Sequence, residues 1–176
     1  MKELTFKEME DILLAHEKAE LEQDIEATMA TVSPNPHYEF PNFGWAADGT
    51  GAVREHYRRV LPNTGKYDIA AEKRVHASAS NTLIREAWVS FTLEGERYTG
   101  MYLVVISFDA DLKLISGERL YTDSNFAKVM GEDLGDDYGD VPGVSRIDAS
   151  APIIDKHDAF AEAAARGITI TAPTAN

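Results

Sequence analysis

The second half of the chain holds a series of long strand patterns, and these constrain the fold more than any other feature. Between positions 83 and 93 the odd residues read Leu, Arg, Ala, Val, Phe, Leu, while the even ones read Ile, Glu, Trp, Ser, Thr. This period of two is typical of a half-buried strand. After a turn at 94–96, residues 98–108 are apolar on both faces, as in a central strand. With further strands expected at 66–77 and 113–121, the sequence predicts an antiparallel meander.

Helical patterns come before these strands. Apolar residues recur at helical spacing over 6–19, a short second helix is expected over 25–32, and a third covers 52–61 before Pro62. A short strand at 37–40 and a loop rich in Gly and Asp at 42–51 separate the second and third helices. Helices followed by an antiparallel meander predict the α+β class.

Composition narrows the possible partners. Lys and Arg total 17 against 30 Asp and Glu, which gives a formal net charge of −13 and argues against nucleic-acid and anionic membrane partners. The absence of cysteine excludes disulfides, thiolate zinc sites and cysteine nucleophiles. The first residues contain no apolar run of signal-peptide or membrane-span length, so a cytoplasmic location is expected. The five histidines show no pair at ligand spacing, and we expect neither a metal site nor a cofactor.

Several pieces of sequence, in this order, resemble the NTF2-like superfamily, in particular its SnoaL-like and ketosteroid-isomerase-like branches. They are DIEA at 24–27, YEFP at 38–41, a Gly before AVREHYRRVLP, and FDADLKLISGERLYTD at 108–123. The resemblance implies a cone, in which a strongly curved antiparallel sheet wraps around N-terminal helices and leaves a pocket at one end. It also implies a homodimer formed through the outer face of the sheet. We therefore predict one domain over 1–130 and a C-terminal extension over 131–176.

The extension lies outside the resemblance. A helix is predicted over 155–166, ended by Gly167, and residues 168–176 could form a strand or a loose tail. The acidic segment 132–140 does not match a calcium-binding loop and is interpreted as solvated and partly mobile. The extension could lie across a partner subunit or cover the pocket mouth, and the sequence leaves both open.

Ketosteroid isomerase activity is not expected. The resemblance places that branch's active-site tyrosine, its aspartate base and its protonated aspartic acid at His16, Phe40 and Val104 of this chain. Both acidic groups are therefore missing, and the isomerase reaction requires a positioned base.

The same placement gives a set of ligand-binding candidates. The odd positions of 83–93 would face inward, together with Gly117, Arg119 and Tyr121 of the last strand. Arginines on apolar strand faces must either pair with a glutamate at the rim or hold a carboxylate, enolate or carbonyl oxygen of a ligand. On the short strand we favour Tyr38 and Phe40 inward, with the opposite pair, His37 and Glu39, as the alternative. The ligand-binding candidates are Tyr38, Phe40, Arg85, Val89, Tyr102 and Val104.

Four residues are candidates for catalysis. His16 could act as a base with Tyr57 as its partner, and Arg119 with Tyr121 could stabilise an oxyanion. Alternatively, His16 is a core histidine that only satisfies a tyrosine hydroxyl. His56 points about 100 degrees away from Tyr57, so only one of the two is expected inside.

Two functions remain open. The first is a SnoaL-like enzyme that transfers protons on a cyclic or polyketide-like carbonyl compound without a cofactor. The alternative is a non-catalytic small-ligand-binding or dimeric assembly module. An enzyme predicts that His16, Tyr57 and Arg119 converge on one open volume, whereas a module predicts a filled interior with paired polar groups. Epoxide opening is a weaker third possibility, because no Asp-Arg-Asp set lies on neighbouring strands.

Overall fold

The protein folds as one curved, open sheet that packs on helices. The structure is a computed structural model and describes residues 2–147 and 159–169. Seven strands pair in the order β3-β4-β5-β6-β1-β2-β7, which confirms the predicted α+β class. The helices are α1 (Phe6–Leu21), α2 (Ile25–Ala30), α3 (Gly49–Val60), α4 (Phe126–Leu134) and α5 (Ala159–Ala165). The strands are β1 (Val32–Phe40), β2 (Trp45–Asp48), β3 (Ala70–Ala79), β4 (Thr82–Leu93), β5 (Glu96–Asp109), β6 (Leu114–Thr122) and β7 (Val144–Arg146).

The sheet is mixed rather than wholly antiparallel. Strands β3 to β6 form the predicted meander, but β1 pairs with β6 in parallel. Strand β1 follows α2 and enters the sheet beside β6, the last strand of the meander. A hairpin cannot join a parallel pair of strands, because such a pair needs a longer connection. This parallel pair brings the short strand with Tyr38 next to β6, and both strands border the interior.

The helices fill the concave side of the sheet. Helix α1 begins at Thr5, whose hydroxyl accepts a hydrogen bond from the Glu8 amide while the Glu8 carboxylate accepts one from the Thr5 amide. Its buried side includes Leu13 and His16, and α3 buries His56 and Tyr57. Opposite them, the odd residues of β4 from 83 to 91 are at most 4% exposed, so the predicted inward face of this strand is confirmed.

The region around the prolines differs from the prediction. The second helix ends at Ala30, and β1 already starts at Val32, so the strand is longer than expected. Between Val32 and His37 the pairing with β6 is irregular, because Pro34 and Pro36 cannot donate hydrogen bonds to a ladder. The segment predicted as a loop contains β2, which pairs with β1.

A bulge in β6 reverses the predicted orientation of its last residues. Ser107 pairs with Gly117 and Phe108 with Ile115, which leaves Ser116 as the extra residue. Before the bulge Ile115 points inward and is fully buried. After it, the residues opposite inward-facing Val104 and Ile106 are even-numbered, Leu120 and Glu118. A slip of one residue exchanges the two faces of a strand, so the prediction for Gly117, Arg119 and Tyr121 was wrong.

The segment after residue 131 adds to the sheet. Strand β7 pairs with β2, and the fully buried Tyr138 packs with its ring 6.1 Å from that of Phe40. The acidic segment 132–140 is therefore partly built into the core, contrary to its interpretation as solvated. Helix α5 lies within the predicted helix, while residues 155–158 and 170–176 fall outside the described residues. The boundary at 130 stays a prediction. Within the described residues, no helix has the length and apolar character needed to cross a membrane.

Candidate active site

Two adjoining chambers lie between the helices and the concave face of the sheet. The smaller has a volume of about 190 Å³ and the larger about 440 Å³. Several residues border both chambers, among them Glu17, Glu20, Arg85, Tyr102 and Phe126. A mostly apolar cavity with a few converging polar groups is the usual form of a small-molecule site.

His16 anchors a chain of hydrogen bonds beside the smaller chamber. Its Nδ1 lies 2.6 Å from the hydroxyl oxygen of Thr31, which donates its own hydrogen to the carbonyl of Thr28 at 2.6 Å. Nδ1 must therefore carry a hydrogen and donate it. Nε2 lies 2.9 Å from the hydroxyl of Tyr57, which is 3.0 Å from the hydroxyl of Tyr38. Nε2 is consequently the atom of His16 that gains or loses a proton.

Two carboxylates approach this same nitrogen. Nε2 of His16 lies 3.2 Å from an oxygen of Glu20 and 3.7 Å from an oxygen of Glu118. Burial by itself lowers the pKa of His16, but the charges of Glu20, Glu118 and Glu17 outweigh it and raise this pKa to about 9. The imidazole is therefore protonated at neutral pH. It acts as a cation and hydrogen-bond donor there, not as the free base that the sequence suggested.

Glu118 is the titrating carboxyl of the site. It lines the smaller chamber from β6, and its side chain is 20% exposed. Burial raises the pKa of Glu118 to about 7, and the charges of Glu20 and Glu17 act in the same direction against those of His16 and Arg85. Glu118 and His16 interact closely, so their protons leave as a coupled pair in two steps, near pH 7 and near pH 9.

Arg85 borders both chambers. Its side chain is 5% exposed and pairs through Nη1 with the carboxylate of Glu17. Its Nε is buried and has no hydrogen-bond partner among the described residues. Burial raises the pKa of Tyr102, and the neighbouring guanidinium opposes this shift. The arginine is thus paired with a glutamate, as one of the two predictions had it, but inside the protein and not at the rim, and its Nε stays without a partner among the described residues.

The structure distributes the predicted ligand-binding residues around this cavity. Phe40 and Val104 border the smaller chamber, Val89 the larger, and Arg85 and Tyr102 both. Tyr38 is 1% exposed and reaches the site through the Tyr57 hydroxyl. Tyr38 and Phe40 therefore face inward. His56 and Tyr57 both border the smaller chamber, contrary to the expectation that only one would.

Arg119 and Tyr121 do not reach the cavity. The bulge places Arg119 on the outer face, where its Nε donates to Glu39 at 2.7 Å, and Tyr121 is 41% exposed. Glu39 also contacts Nε2 of His37 at 2.9 Å, and Nδ1 of His37 lies 2.7 Å from Asp48. We call these four residues, Asp48, His37, Glu39 and Arg119, the outer cluster. The predicted oxyanion role of Arg119 and Tyr121 in the cavity is therefore wrong.

The sequence analysis missed three acidic residues of the site. Glu17 and Glu20 follow His16 on α1, and a spacing of four places Glu20 on the same side of the helix as His16, a signal that was available. Glu118 could not be found by alternation, because the bulge at Ser116 is not visible as a pattern. Asp123 accepts a hydrogen bond from the amide of Phe126 at the start of α4. Among the described residues, no group of three could hold a metal ion.

Comparison with solved structures identifies the fold of this chain. An epoxide hydrolase/cyclase-like enzyme of pyran ring formation in polyether salinomycin, SalBIII, matches with a TM-score of 0.55 at 14% identity, over 68% of this chain and 93% of its own. A LEH-like epoxide hydrolase of M. tuberculosis matches with 0.54 at 17% identity, over 70% and 90%. An NTF2-like protein of unknown function from Cytophaga hutchinsonii ATCC 33406 matches with 0.52 at 16% identity, over 65% and 98%.

At the level of sequence, no protein-family model and no curated protein matches this chain significantly. The identities to the solved structures are low, so these similarities define the fold alone. The chain has the fold of the NTF2-like superfamily, which confirms the expected cone. It is a fold that small-molecule enzymes use, and in this chain its interior carries a His-Glu-Glu cluster.

Proposed function

We propose that this protein is a small-molecule enzyme that transfers protons on a cyclic or polyketide-like carbonyl compound. Its own side chains supply the acid and the base, without a cofactor. The similarity in fold to an enzyme of pyran ring formation and to an epoxide hydrolase supports the broader class. The reaction type rests on the cavity itself, since a fold alone does not define chemistry.

The observation that carries the proposal is Glu118. A carboxyl group with a pKa of about 7 holds a proton half of the time at neutral pH. General acid/base catalysis works best when the pKa of the group lies near the operating pH. Burial, assisted by the charges of Glu20 and Glu17, raises this pKa, and such shifts cluster at functional sites.

In the proposed step one proton moves from the ligand to Glu118 and back to the ligand, so no atom is gained or lost. The Glu118 carboxylate removes a proton from a carbon next to the ligand carbonyl, and the electrons of that C–H bond move to the carbonyl oxygen as an enolate. The protonated Glu118 then returns the proton to another carbon of the conjugated system. In a ring closure, the enolate carbon instead bonds to a second carbonyl carbon of the ligand, whose C=O π electrons move to its oxygen, and this oxygen takes the proton from Glu118. The Arg85 guanidinium and the His16 imidazolium supply positive charge near the developing oxyanion.

Deuterium exchange tests this step without knowledge of the natural substrate. The probe is 1-tetralone in D2O, followed by proton NMR at the carbon next to its carbonyl. We expect exchange well above the buffer rate, and a loss of about 100-fold or more with Glu118→Gln, the usual range for a removed general base. Arg119→Gln, one residue away on the outer face, should leave the rate unchanged. Exchange at the buffer rate, or equal exchange by wild type and Glu118→Gln, would refute the proposal.

A second function, a non-catalytic ligand carrier, is favoured by the paired state of the polar interior. Tyr38, Tyr57, His16 and Thr31 are joined in one hydrogen-bonded chain and need no ligand to satisfy them. A carrier would bind 1-tetralone but would not speed its exchange. Measuring binding by calorimetry together with exchange therefore separates the two functions.

We further propose that two copies associate through the outer face of the sheet. Apolar side chains stay exposed on this face, with Trp88 43% and Val75 48% exposed. Exposed large apolar side chains, and tryptophan in particular, are enriched at protein interfaces. Sedimentation should give a dimer for the wild type and a monomer for Trp88→Glu, whereas a monomeric wild type would refute the association. The cytoplasmic location stays a prediction.

A further inference from the structure

His56 is a buried histidine that the proposed proton transfer does not use. It lies on α3, is 6% exposed and borders the smaller chamber. Its Nδ1 has no hydrogen-bond partner among the residues that the structure describes. Buried polar atoms are almost always paired, so the unpaired nitrogen of a residue that borders the chamber points to a polar partner that comes with a ligand and meets the ring of His56.

The surroundings of His56 keep it neutral and line this part of the chamber with aromatic rings. Its ring lies 4.5 Å from the ring of Phe40 and 5.2 Å from that of Tyr57. Burial among these rings lowers the pKa of His56 to about 4. A neutral imidazole has one donor and one acceptor nitrogen. A hydroxyl group can both donate and accept, so it satisfies either tautomer of His56.

The charges of the smaller chamber argue against an anionic ligand. Glu17 pairs with Arg85, and Glu20 lies 3.2 Å from His16. Both cations that border this chamber among the described residues are therefore already paired, and an added carboxylate without a partner would be costly there. The unused Nε of Arg85 is a donor only, which fits the oxygen of a neutral carbonyl.

We propose that the cavity binds a ring-containing hydroxyketone that carries no negative charge, with its hydroxyl on His56 and its carbonyl oxygen towards Arg85. The carbonyl half of this assignment rests on the proposed function, whereas the hydroxyl half rests on the geometry of His56. His56 is a positioning and specificity-determining residue in this account, because it orients the ring whose carbonyl faces the acid and the base.

Calorimetric binding of matched neutral probes tests the assignment. The probes are 1-tetralone, its 5-, 6- and 7-hydroxy derivatives, and the corresponding methoxy derivatives. We expect at least one hydroxy isomer to bind about tenfold more tightly than 1-tetralone, the gain from roughly one good hydrogen bond. Its methoxy counterpart, which can only accept, should lose the gain. The inference is overturned if no hydroxy isomer binds more tightly than 1-tetralone.

Two variants assign the gain to a residue. His56→Phe should bind 1-tetralone within threefold of wild type and lose the preference for the hydroxyl, while a preference that survives would overturn the role of His56. His76→Phe is the matched control, because His76 also has an unpaired buried ring nitrogen but borders neither chamber. Should His56→Phe not fold by circular dichroism, His56→Leu and the wild-type probe series decide.

The experiment separates this inference from the proposed function, since binding at equilibrium involves no proton transfer. A hydroxyl preference that depends on His56, with no exchange that depends on Glu118, keeps the ligand assignment and refutes the enzyme. Exchange that depends on Glu118, with no hydroxyl preference, keeps the proposed enzyme and refutes the ligand assignment.

Discussion

On each side of the sheet a histidine lies between two carboxylates, yet the two clusters differ in solvation and in charge balance. In the cavity, His16 contacts Glu20 and Glu118, and its side chain is 1% exposed. On the outer face, His37 contacts Glu39 and Asp48, and its side chain is 21% exposed. The outer cluster also includes Arg119, which supplies a second cation.

The difference shows how the same residue types yield different chemistry. The outer carboxylates face two cations, and Asp48 is 59% exposed, so this cluster is a fixed ion network. Burial lowers the pKa of His37, but the hydrogen bonds that Asp48 and Glu39 accept from its ring outweigh burial and raise this pKa. In the cavity, Arg85 is already paired with Glu17, and burial raises the pKa of Glu118 to about 7. The inner cluster can therefore exchange a proton at neutral pH.

The largest expected difference between the clusters concerns stability at high pH. The folded protein holds the His16 proton up to about pH 9, while the ordinary pKa of a histidine in an unfolded chain is 6.5. The stability from this proton is complete below pH 6.5 and is lost as the pH rises through 9, in total about 3 kcal/mol. Urea denaturation at pH 6 and pH 9.5 should show this loss in wild type and little of it in His16→Gln. The outer variant His37→Gln should keep most of it, and an undiminished loss in His16→Gln would contradict the account.

A smaller effect on stability is expected at Glu118, where loss of the carboxylate should stabilise the protein at high pH. The folded state keeps this proton up to about pH 7, whereas the unfolded chain releases it near 4.5, so stability falls as the pH rises between these values. At pH 8 the partly buried charge is a cost that Glu118→Gln removes. The variant should be more stable than wild type by about 1–3 kcal/mol at pH 8 and gain little at pH 4.5.

The outer cluster supplies the contrast to this prediction. Glu39→Gln removes the carboxylate that both His37 and Arg119 contact, so thermal unfolding should show a loss of stability at both pH values. If Glu118→Gln were less stable than wild type at pH 8, the carboxylate would be a structural ion like Glu39.

The smallest effect is expected for the hydroxyl that orients His16. Thr31→Val leaves the Nδ1 hydrogen of His16 without its acceptor in a buried place, at a cost of about 1–2 kcal/mol. Thr31→Ser keeps the hydroxyl and should retain most of the stability. In the outer cluster, Asp48→Asn should cost less than about 1 kcal/mol, because the side chain of Asp48 is mostly exposed. Chemical denaturation at pH 7 measures all three, and equal losses for valine and serine would contradict the orienting role.

Alternation predicted the parts of the fold where it is regular. The odd residues of β4 line the interior as expected, and Tyr38 and Phe40 face inward on β1. Helices α1 and α3 follow from their apolar spacing and put His16 and Tyr57 within 2.9 Å of each other. The pair was thus identified from the sequence, although the charge state of His16 depends on Glu20 and Glu17 of the same helix and on Glu118 of β6.

Irregular backbone limited the prediction of the other parts of the fold and of the site. One extra residue at Ser116 turned Arg119 and Tyr121 outward and Glu118 inward, and no local pattern marks such a bulge. The four-residue β2 and three-residue β7 are too short to show a period. The candidate residue with the greatest chemical importance was therefore hidden by a single-residue shift in register.

The titration of Glu118 tests the central claim most directly. Carbon-13 NMR of the side-chain carboxyl, with labelled glutamate and Glu118→Gln to assign the signal, gives its midpoint in the folded protein. We predict a midpoint near 7, with a second inflection near 9 from the coupled His16. A single midpoint near 4.5, the ordinary value for a glutamate, would show that the cavity holds a permanent charge and would contradict the proposed acid/base role.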